Sequence, residues 1–162
     1  SIDGTRYGES LELSQQDTLV LLVNERYKIP ENLYIDHNVF QLASNNMIAP
    51  DIRIYSAEGS TPTLRVQFYT QEEKPVYDNM DFNWNYKNDT LRFDNYIKLA
   101  GQWRAQRVTL TLYLPENKKV LLPSQTSQYL RNLRDFDRGV RSRLNKDKIL
   151  LIMQDGKLQP LM

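Results

Sequence analysis

The 162-residue chain has no cysteine and a single histidine, His37, and these shortages exclude many kinds of chemistry. Without cysteine there is no disulfide framework, no thiolate nucleophile and no cysteine-ligated zinc site. One histidine cannot build a multi-histidine zinc site, and the G-x-S-x-G pattern of a nucleophile elbow is missing. None of the six glycines forms part of a phosphate-binding pattern. We therefore expect no enzymatic activity, no bound metal and no cofactor.

The chain also has no large excess of positive or negative charge, and it has no long apolar segment. The chain has 21 Lys and Arg against 20 Asp and Glu, so no overall field attracts nucleic acid. The longest apolar runs, Thr18 to Val23 and Ile149 to Met153, are far shorter than the roughly 20 residues of a membrane-spanning helix. The chain begins at Ser1 without a signal-peptide pattern, and we expect it to be one β-rich domain, residues 1–162, of a longer protein.

What the chain does contain is alternation of apolar and polar residues. Val108, Leu110, Leu112 and Leu114 alternate with Thr109, Thr111 and Tyr113, which predicts a strand with its leucines in a core and the other three side chains outward. Residues 63–68 and 80–86 alternate in the same way. Shorter runs are Leu11 to Leu13, Leu19 to Val23, Leu33 to Ile35, Ile52 to Tyr55, Leu91 to Phe93, Tyr96 to Leu99 and Val120 to Leu122.

About ten short strands predict an all-β fold. Strands of three or four apolar positions favour stacked, solenoid-like sheets over a sandwich or a closed barrel. The tripeptide Asp-Thr-Leu opens two of the strands, at Asp17 and at Asp89, which hints at two related halves.

One short helix is predicted near the C-terminus, over residues 127–138, because Leu130, Leu133 and Phe136 recur at steps of three and Gly139 can end the helix. After it, Asp155-Gly156 predicts the turn of a closing hairpin over residues 148–161. The helix would cover one end of the sheets. The opposite end, around Leu11 to Val23, has no cover, so we expect it to pack on the preceding part of the full protein or on a second copy of this domain.

Two groups of residues are candidate binding sites. The chain between Arg131 and Lys148 carries a local net charge of +4, and a continuous helix would place four arginines on one side. Such a patch could contact an acidic partner or lipid head groups, although a solvated helix face is the simpler interpretation. The patch consists of Arg131, Arg134, Arg138 and Arg141.

The second group is aromatic. Trp84, Tyr86 and Trp103 could form a platform for sugar rings, but aromatic residues of a strand are more often core side chains. In the same region, Asp81-x-Asn83-x-Asn85 begins like a calcium-binding loop, yet the required glycine is replaced by Tyr86. We expect this segment to be a strand with a polar outer side.

Two segments resemble a known family. The alternating strand that runs into Pro115-Glu116, followed by Lys119-Val120, is similar to the rungs of toast-rack domains, which are small stacked-β modules of bacterial envelope proteins. Residues 149–158 are similar to the closing segment of the toast-rack domain at the C-terminus of phage shock protein C (PspC) relatives.

The resemblance implies a non-enzymatic module for interaction or assembly in a bacterial envelope protein, with a role in envelope-stress sensing. It also implies a membrane-anchored parent protein, with the anchor outside this chain. We expect the domain on the periplasmic side. We expect a protein partner or self-association, and no nucleic-acid or small-molecule partner. The alternative is a carbohydrate-binding or adhesin-like surface module that uses the aromatic residues.

Overall fold

A computed structural model describes residues 2–4, 8–14, 16–27, 41–42, 47–69, 80–101, 106–123, 125–132, 136, 138–143 and 148–161, with backbone alone for 2–4, 41–42 and 141–143. These residues form fifteen strands, one 3₁₀ helix and one α-helix. Within these ranges no helix has the length and apolarity needed to cross a membrane.

The strands are short, and most span two to seven residues. In chain order they are β1 (Ile2–Gly4), β2 (Glu9–Glu12), β3 (Thr18–Asn24), β4 (Gln41–Leu42), β5 (Met47–Ile48), β6 (Asp51–Ala57), β7 (Thr63–Tyr69), β8 (Met80–Asp81), β9 (Trp84–Lys87), β10 (Thr90–Asp94), β11 (Ile97–Leu99), β12 (Arg107–Pro115), β13 (Lys119–Leu122), β14 (Ile149–Gln154) and β15 (Lys157–Pro160). The run expected at Leu33 to Ile35 lies outside the described residues.

The strands form three sheets. The first sheet has seven strands in the order β1-β9-β10-β3-β13-β14-β15, and the second has four in the order β2-β7-β12-β6. A small third sheet has the order β4-β5-β11-β8. The helices are the 3₁₀ helix Thr126–Tyr129 and α1 (Arg138–Arg143). The all-β, toast-rack-like class with one short helix near the C-terminus is confirmed.

Parallel pairing between distant segments holds the larger sheets together. In the first sheet β3 lies between β10 and β13, and it is parallel to both. In the second sheet β12 lies between its parallel neighbour β6 and its antiparallel neighbour β7. Each parallel pair joins strands that are far apart in the chain, which accounts for the stacked arrangement of short strands.

The strand predicted at residues 108–114 is present as β12, and its predicted register is confirmed. Val108, Leu110, Leu112 and Leu114 are each at most 1% exposed and belong to the core. The opposite side of this strand differs from the prediction, because Thr109 and Thr111 are also buried, at 7% and 6% exposed. Because β12 is central, the register flanks Thr109 with Asp51 and Gln67, and Thr111 with Arg53 and Arg65, all of which have longer side chains.

One contiguous hydrophobic core contains residues from all three sheets. Leu21 and Leu151 come from the first sheet, Val66 from the second and Ile97 from the third. Aromatic rings meet edge to face within this core, with Phe93 and Tyr129 at a centroid separation of 5.6 Å. The inner faces of the two larger sheets therefore share one core, and their outer faces point away from it.

The boundaries predicted for the helix are wrong. Ser127 lies in the 3₁₀ helix, but Leu130 forms a β-bridge with Ile52, and Phe136 forms one with Leu158. The α-helix begins only at Arg138, so Gly139 lies inside it and does not end it. Leu130 and Phe136 are buried as expected, while Leu133 lies outside the described residues. The spacing of apolar residues at every third position therefore belongs to a non-helical segment, which contacts the second sheet at Ile52 and the first sheet at Leu158.

The expectation of an uncovered end at Leu11 to Val23 is also wrong for β3. This strand is central in the first sheet, and Leu19 and Leu21 are buried at 3% and 1% exposed. Of the two strands in this range, β2 is the one that lies at an edge, in the second sheet. The closing hairpin is present, because β14 and β15 pair antiparallel around Asp155-Gly156. Asp155 has a positive φ of 55° there, as a tight hairpin turn requires.

A side chain covers the outer edge of β6. The Ile54 N–H donates to Asn132 Oδ1 at 3.1 Å, and Asn132 Nδ2 donates to the Ile54 carbonyl. Next to it, the Arg131 N–H donates to the Ile52 carbonyl at 2.9 Å. The segment at residues 130–132 thus occupies the hydrogen-bonding groups through which an open edge strand could aggregate.

The core position of Leu112 gives a direct stability test. We expect Leu112→Ala to lower the free energy of unfolding by about 2 to 5 kcal/mol, because it leaves a cavity in a fully packed site. Leu161→Ala is the matched control, since Leu161 is 45% exposed and the change should stay within about 0.5 kcal/mol. Urea denaturation of both variants measures the difference, and equal losses would contradict the assigned register.

Asn132 gives a test of edge protection. We expect Asn132→Ala to cost about 1 to 3 kcal/mol, because two backbone groups of β6 lose their partner at a buried site. Asn132→Asp keeps the acceptor but loses the donor, and it should also destabilise. Both variants should show more light scattering during refolding, whereas Gln128→Ala, in the preceding 3₁₀ helix, should not. Normal stability and normal scattering of both Asn132 variants would contradict this role.

Candidate interaction surface

The outer face of the second sheet displays arginine and tyrosine side chains. Alternation along β6, β7 and β12 sends every second residue away from the core. The register aligns these residues into rows across the sheet, such as Tyr69 beside Arg107 and Tyr55 beside Tyr113. We call this surface the arginine–tyrosine face. It consists of Asp51, Arg53, Tyr55, Arg65, Gln67, Tyr69, Arg107, Thr109, Thr111, Tyr113 and the adjoining Arg131.

Ring contacts hold the long side chains of this face in place. The Arg107 guanidinium lies over the Tyr69 ring at 4.5 Å from the ring centroid. The rings of Tyr55 and Tyr113 lie 6.2 Å apart with a tilt of 30°. In the amide orientation that satisfies its neighbours, Gln67 donates to the Tyr69 hydroxyl at 2.6 Å and accepts from Arg65 at 2.9 Å. Cation–π contacts and hydrogen bonds therefore order the face before any partner binds.

At one side of the face, Arg131 and Asp51 form an ion pair with an Nε–Oδ1 distance of 3.2 Å. Burial raises the pKa of Asp51 and lowers the pKa of Arg131, and in each case the attraction of the partner opposes this shift. Arg131 also donates from Nη1 to the carbonyls of Gln128 and Leu130. Arg131 is therefore engaged in holding its own segment against the sheet.

The face carries a positive net charge within the described part of the chain. Its four arginines are opposed by Asp51 and by Glu12, which the register of β2 places on the same side, so the net charge is +2. Arg65 and Arg107 are exposed, whereas Arg53 is half-buried. Tyrosine and arginine are the residues that carry most binding energy at protein interfaces. The face therefore combines a net positive charge with residue types that are enriched at protein interfaces.

The four arginines predicted as one basic patch do not lie on one helix. Arg131 precedes the α-helix and forms the ion pair described above, and Arg138 is exposed at the first position of α1. Arg141 lies in α1, but its side chain is outside the description, as is all of Arg134. Residues 130–132 are not helical, so the continuous helix on which the predicted patch depended is absent.

Two of the three residues proposed as an aromatic platform are buried. Trp84 is 3% exposed and Tyr86 is 7% exposed, and both belong to the core. The Tyr86 hydroxyl donates to Asp89 at 3.2 Å and accepts from the Ser14 N–H at 3.1 Å. Trp103 and His37 lie outside the described residues. Core packing is thus the interpretation that holds for Trp84 and Tyr86.

Asp81, which the sequence placed at the start of a calcium-like motif, belongs to a cluster of ion pairs around Arg26. The Arg26 guanidinium donates two hydrogen bonds to Asp81, both at 2.8 Å, and one to Asp94 at 3.0 Å. Asp94 is 1% exposed and also accepts from the Asn83 N–H at 2.8 Å. Among the described residues, no three His, Cys, Asp or Glu are grouped so that they could hold a metal.

The hydrogen bonds from Arg26 lower the pKa of Asp81. Asp81 has a second hydrogen-bond donor, Tyr27, which lowers its pKa further. The Tyr27 hydroxyl donates to Asp81 at 3.1 Å, and burial together with this bond raises the pKa of Tyr27 to about 12. A pocket of about 280 Å³ adjoins the cluster and is lined by Asn24, Asn83, Trp84, Asn85, Arg92, Phe93 and Asp94. The cluster joins the end of β3 to β8 and β10, so its role is structural.

Sequence reasoning missed Arg26, Arg53, Arg65 and Arg107 as residues of interest. A signal was present, because Arg53-x-Tyr55 and Arg65-x-Gln67-x-Tyr69 place their members on one side of a strand. Their assembly into one face depends on the pairing of β6, β12 and β7, which joins segments far apart in the chain.

Comparison with known protein families finds a match over the larger part of the chain. Residues 51–160, about two-thirds of the chain, match the model of the toast-rack domain found in some PspC proteins. No curated protein and no solved structure matches the chain. The matched range contains β6 to β15 and therefore most of the arginine–tyrosine face.

The Arg26 cluster yields a pH-dependent prediction. We expect Arg26→Met to lower the free energy of unfolding by about 1 to 3 kcal/mol at neutral pH, because the buried Asp94 loses a charged donor. Part of the stabilisation by Arg26 comes from its ion pair with Asp81. This part is fully present above the ordinary carboxyl pKa of about 4, and it is lost as the pH falls through the lowered pKa of Asp81. The difference from the wild type should therefore shrink in acid.

Urea denaturation at a series of pH values measures this effect. Arg92→Met is the matched control, because Arg92 is exposed on β10 and makes no ion pair with another described residue. Its stability should follow that of the wild type at every pH. A difference between Arg26→Met and the wild type that stays constant down to strongly acidic pH would contradict the proposed coupling.

Proposed function

Because the chain belongs to the toast-rack family found in some PspC proteins, we propose that it is a non-enzymatic interaction and assembly module of a membrane-anchored bacterial envelope protein. The family makes the domain a PspC-associated envelope module and implies a membrane-associated parent protein. We further propose that the domain lies on the periplasmic side and contributes to the sensing of envelope stress. The observation that supports an interaction role is the arginine–tyrosine face.

The chemistry of this face favours a protein with an acidic surface as the partner. Stacked arginine and tyrosine side chains lose little conformational freedom on binding, so more of the contact energy is available as affinity. Two such faces from two copies would bring like charges together. A different protein is therefore favoured over self-association through this face.

The proposal that the module is not an enzyme is supported by the residue types available. The chain has no cysteine and one histidine, and the arginine–tyrosine face has arginines, tyrosines, threonines and an amide, with Asp51 and Glu12 as its carboxylates. Arginine stays protonated at all ordinary pH values, so it cannot act as a general base there. This composition suits binding better than proton transfer.

The carbohydrate-binding alternative loses its main support. It depended on Trp84, Tyr86 and Trp103 at the surface, and the first two side chains are in the core, while Trp103 lies outside the described residues. The pocket near Asn24 and Arg92 is lined mostly by amide and charged groups, and no exposed aromatic ring is available there to stack on a sugar. These observations favour a protein partner over a carbohydrate ligand.

Crosslinking in cells tests the proposal. A photoreactive amino acid is placed at Arg65 in the full-length parent protein, and Gln16, an exposed residue before β3, serves as the control position. We expect position 65 to give one discrete adduct with an acidic protein, and position 16 to give none. Adding Arg107→Glu should abolish the adduct, because it reverses a charge in the same face.

Titration of the purified partner then measures affinity. We expect Arg65→Glu/Arg107→Glu to weaken binding by about tenfold or more, since charge reversal creates repulsion across an interface. Arg92→Glu, on the other large sheet, should leave the affinity unchanged. An adduct that survives charge reversal, or equal weakening by the control, would refute the arginine–tyrosine face as the binding surface.

A further inference from the structure

A stripe of aliphatic side chains crosses the outer face of the first sheet. The register places Val20 beside Leu121 and Leu121 beside Leu150 on adjacent strands. The Leu161 N–H donates to the Leu150 carbonyl at 2.9 Å, which extends the row by one position. Leu22 and Ile152 lie two residues along their strands from members of the row, on the same side of the sheet. We call these six residues the aliphatic stripe.

The aliphatic stripe is not part of the contiguous hydrophobic core. That core takes its residues from the inner side of β14, namely Ile149, Leu151 and Met153, and it contains none of the six stripe residues. Leu161 is 45% exposed, and Val20, Leu22, Leu121 and Leu150 are partly exposed, while Ile152 is the most covered member at 9%. The stripe therefore offers apolar surface that the described part of the chain does not fully cover.

The side chains around the aliphatic stripe are cationic. Lys87, Arg92, Lys119 and Lys157 project from the same face, and Lys148 directly precedes β14. None of these five forms an ion pair with another residue in the described ranges. The register also places Asp3 on this face, opposite Asn85, and Asp94 on the same face is buried and held by Arg26. The five cations outnumber these two acidic residues, so the rim of the stripe is net positive.

We propose that the aliphatic stripe and its cationic rim dock the domain onto the surface of a bilayer that contains anionic phospholipids. Aliphatic side chains can enter the boundary between head groups and acyl chains, while lysines extend their charged ends to the phosphates. Each cation near an anionic membrane adds to the attraction. The surface is thus complementary to a negatively charged membrane in both apolarity and charge.

A lipid surface fits these residues better than a protein partner does. Cores of protein interfaces are enriched in aromatic residues and arginine, and lysine is depleted there. The stripe is purely aliphatic, and four of its five surrounding cations are lysines. The arginine–tyrosine face has the opposite composition, and it lies on the outer side of the other large sheet. Docking through the stripe would leave that face free to bind its partner.

Vesicle co-sedimentation of the full 162-residue chain tests the inference, which goes beyond the proposed function and does not depend on it. The probes are phosphatidylcholine vesicles with and without about 30 mol% phosphatidylglycerol. We expect binding to the anionic vesicles alone, with an affinity that falls as the salt concentration rises. Lys119→Glu/Lys157→Glu should weaken this binding by about tenfold or more, because each cation lies beside the stripe.

Two further variants separate the aliphatic stripe from general charge effects. Leu161→Asp should weaken binding at unchanged thermal stability, because Leu161 is 45% exposed and its replacement leaves the core intact. Arg65→Glu/Arg107→Glu is the matched control: it makes the same change in net charge on the other sheet, and its vesicle binding should stay within about twofold of the wild type.

The outcomes that overturn the inference are distinct from those that refute the partner-binding face. Absence of binding to anionic vesicles, or equal weakening by Arg65→Glu/Arg107→Glu, would overturn lipid docking. Unchanged binding of the Leu161→Asp variant to anionic vesicles would show that the aliphatic stripe does not contact the bilayer, and it would also overturn the inference. Neither result depends on whether the arginine–tyrosine face binds an acidic protein.

Discussion

The parallel pairing of β3 with β10 and β13 is the constraint on which the rest of the structure depends. These two contacts bring residues 90–94 and 119–122 to either side of residues 18–24 and so build the centre of the seven-stranded sheet. Because side chains alternate along a strand, a shift of one residue in either pairing would exchange the inner and outer faces. The register thus places Leu19 and Leu21 in the core and Val20 and Leu22 outside it.

The two large sheets present different chemistry on their outer faces, although their inner faces share one core. On the second sheet, contacts such as that between Arg107 and Tyr69 order a face suited to an acidic protein. On the first sheet, aliphatic side chains such as Leu121 lie among lysines that lack ion-pair partners in the described ranges. A module with two such faces could hold a protein partner close to a membrane surface, which agrees with the assembly role proposed above.

The segment at residues 130–132 shows how polar residues protect a sheet edge. Asn132 occupies the N–H and carbonyl of Ile54, and the neighbouring Arg131 pairs with Asp51 at the first position of β6. Burial disfavours the charged form of both members of this pair, as the directions of their pKa shifts indicate. Such a pair contributes little net free energy of unfolding, because the cost of removing both charges from water offsets their attraction.

The sequence by itself determined the all-β class, the strand at residues 108–114 and the inward direction of its leucines, because alternation is a local property that each strand carries alone. Its resemblance to toast-rack domains was also correct, since the rung residues from Val108 to Val120 are contiguous in the chain. Only the tertiary structure decided the conformation at Leu130 and Phe136, although their spacing fits a helix. Each forms a β-bridge with a residue that is distant in the sequence, Leu130 with Ile52 and Phe136 with Leu158. The two outer faces were likewise decided by strand pairing, because each row of side chains joins segments whose register no local pattern specifies.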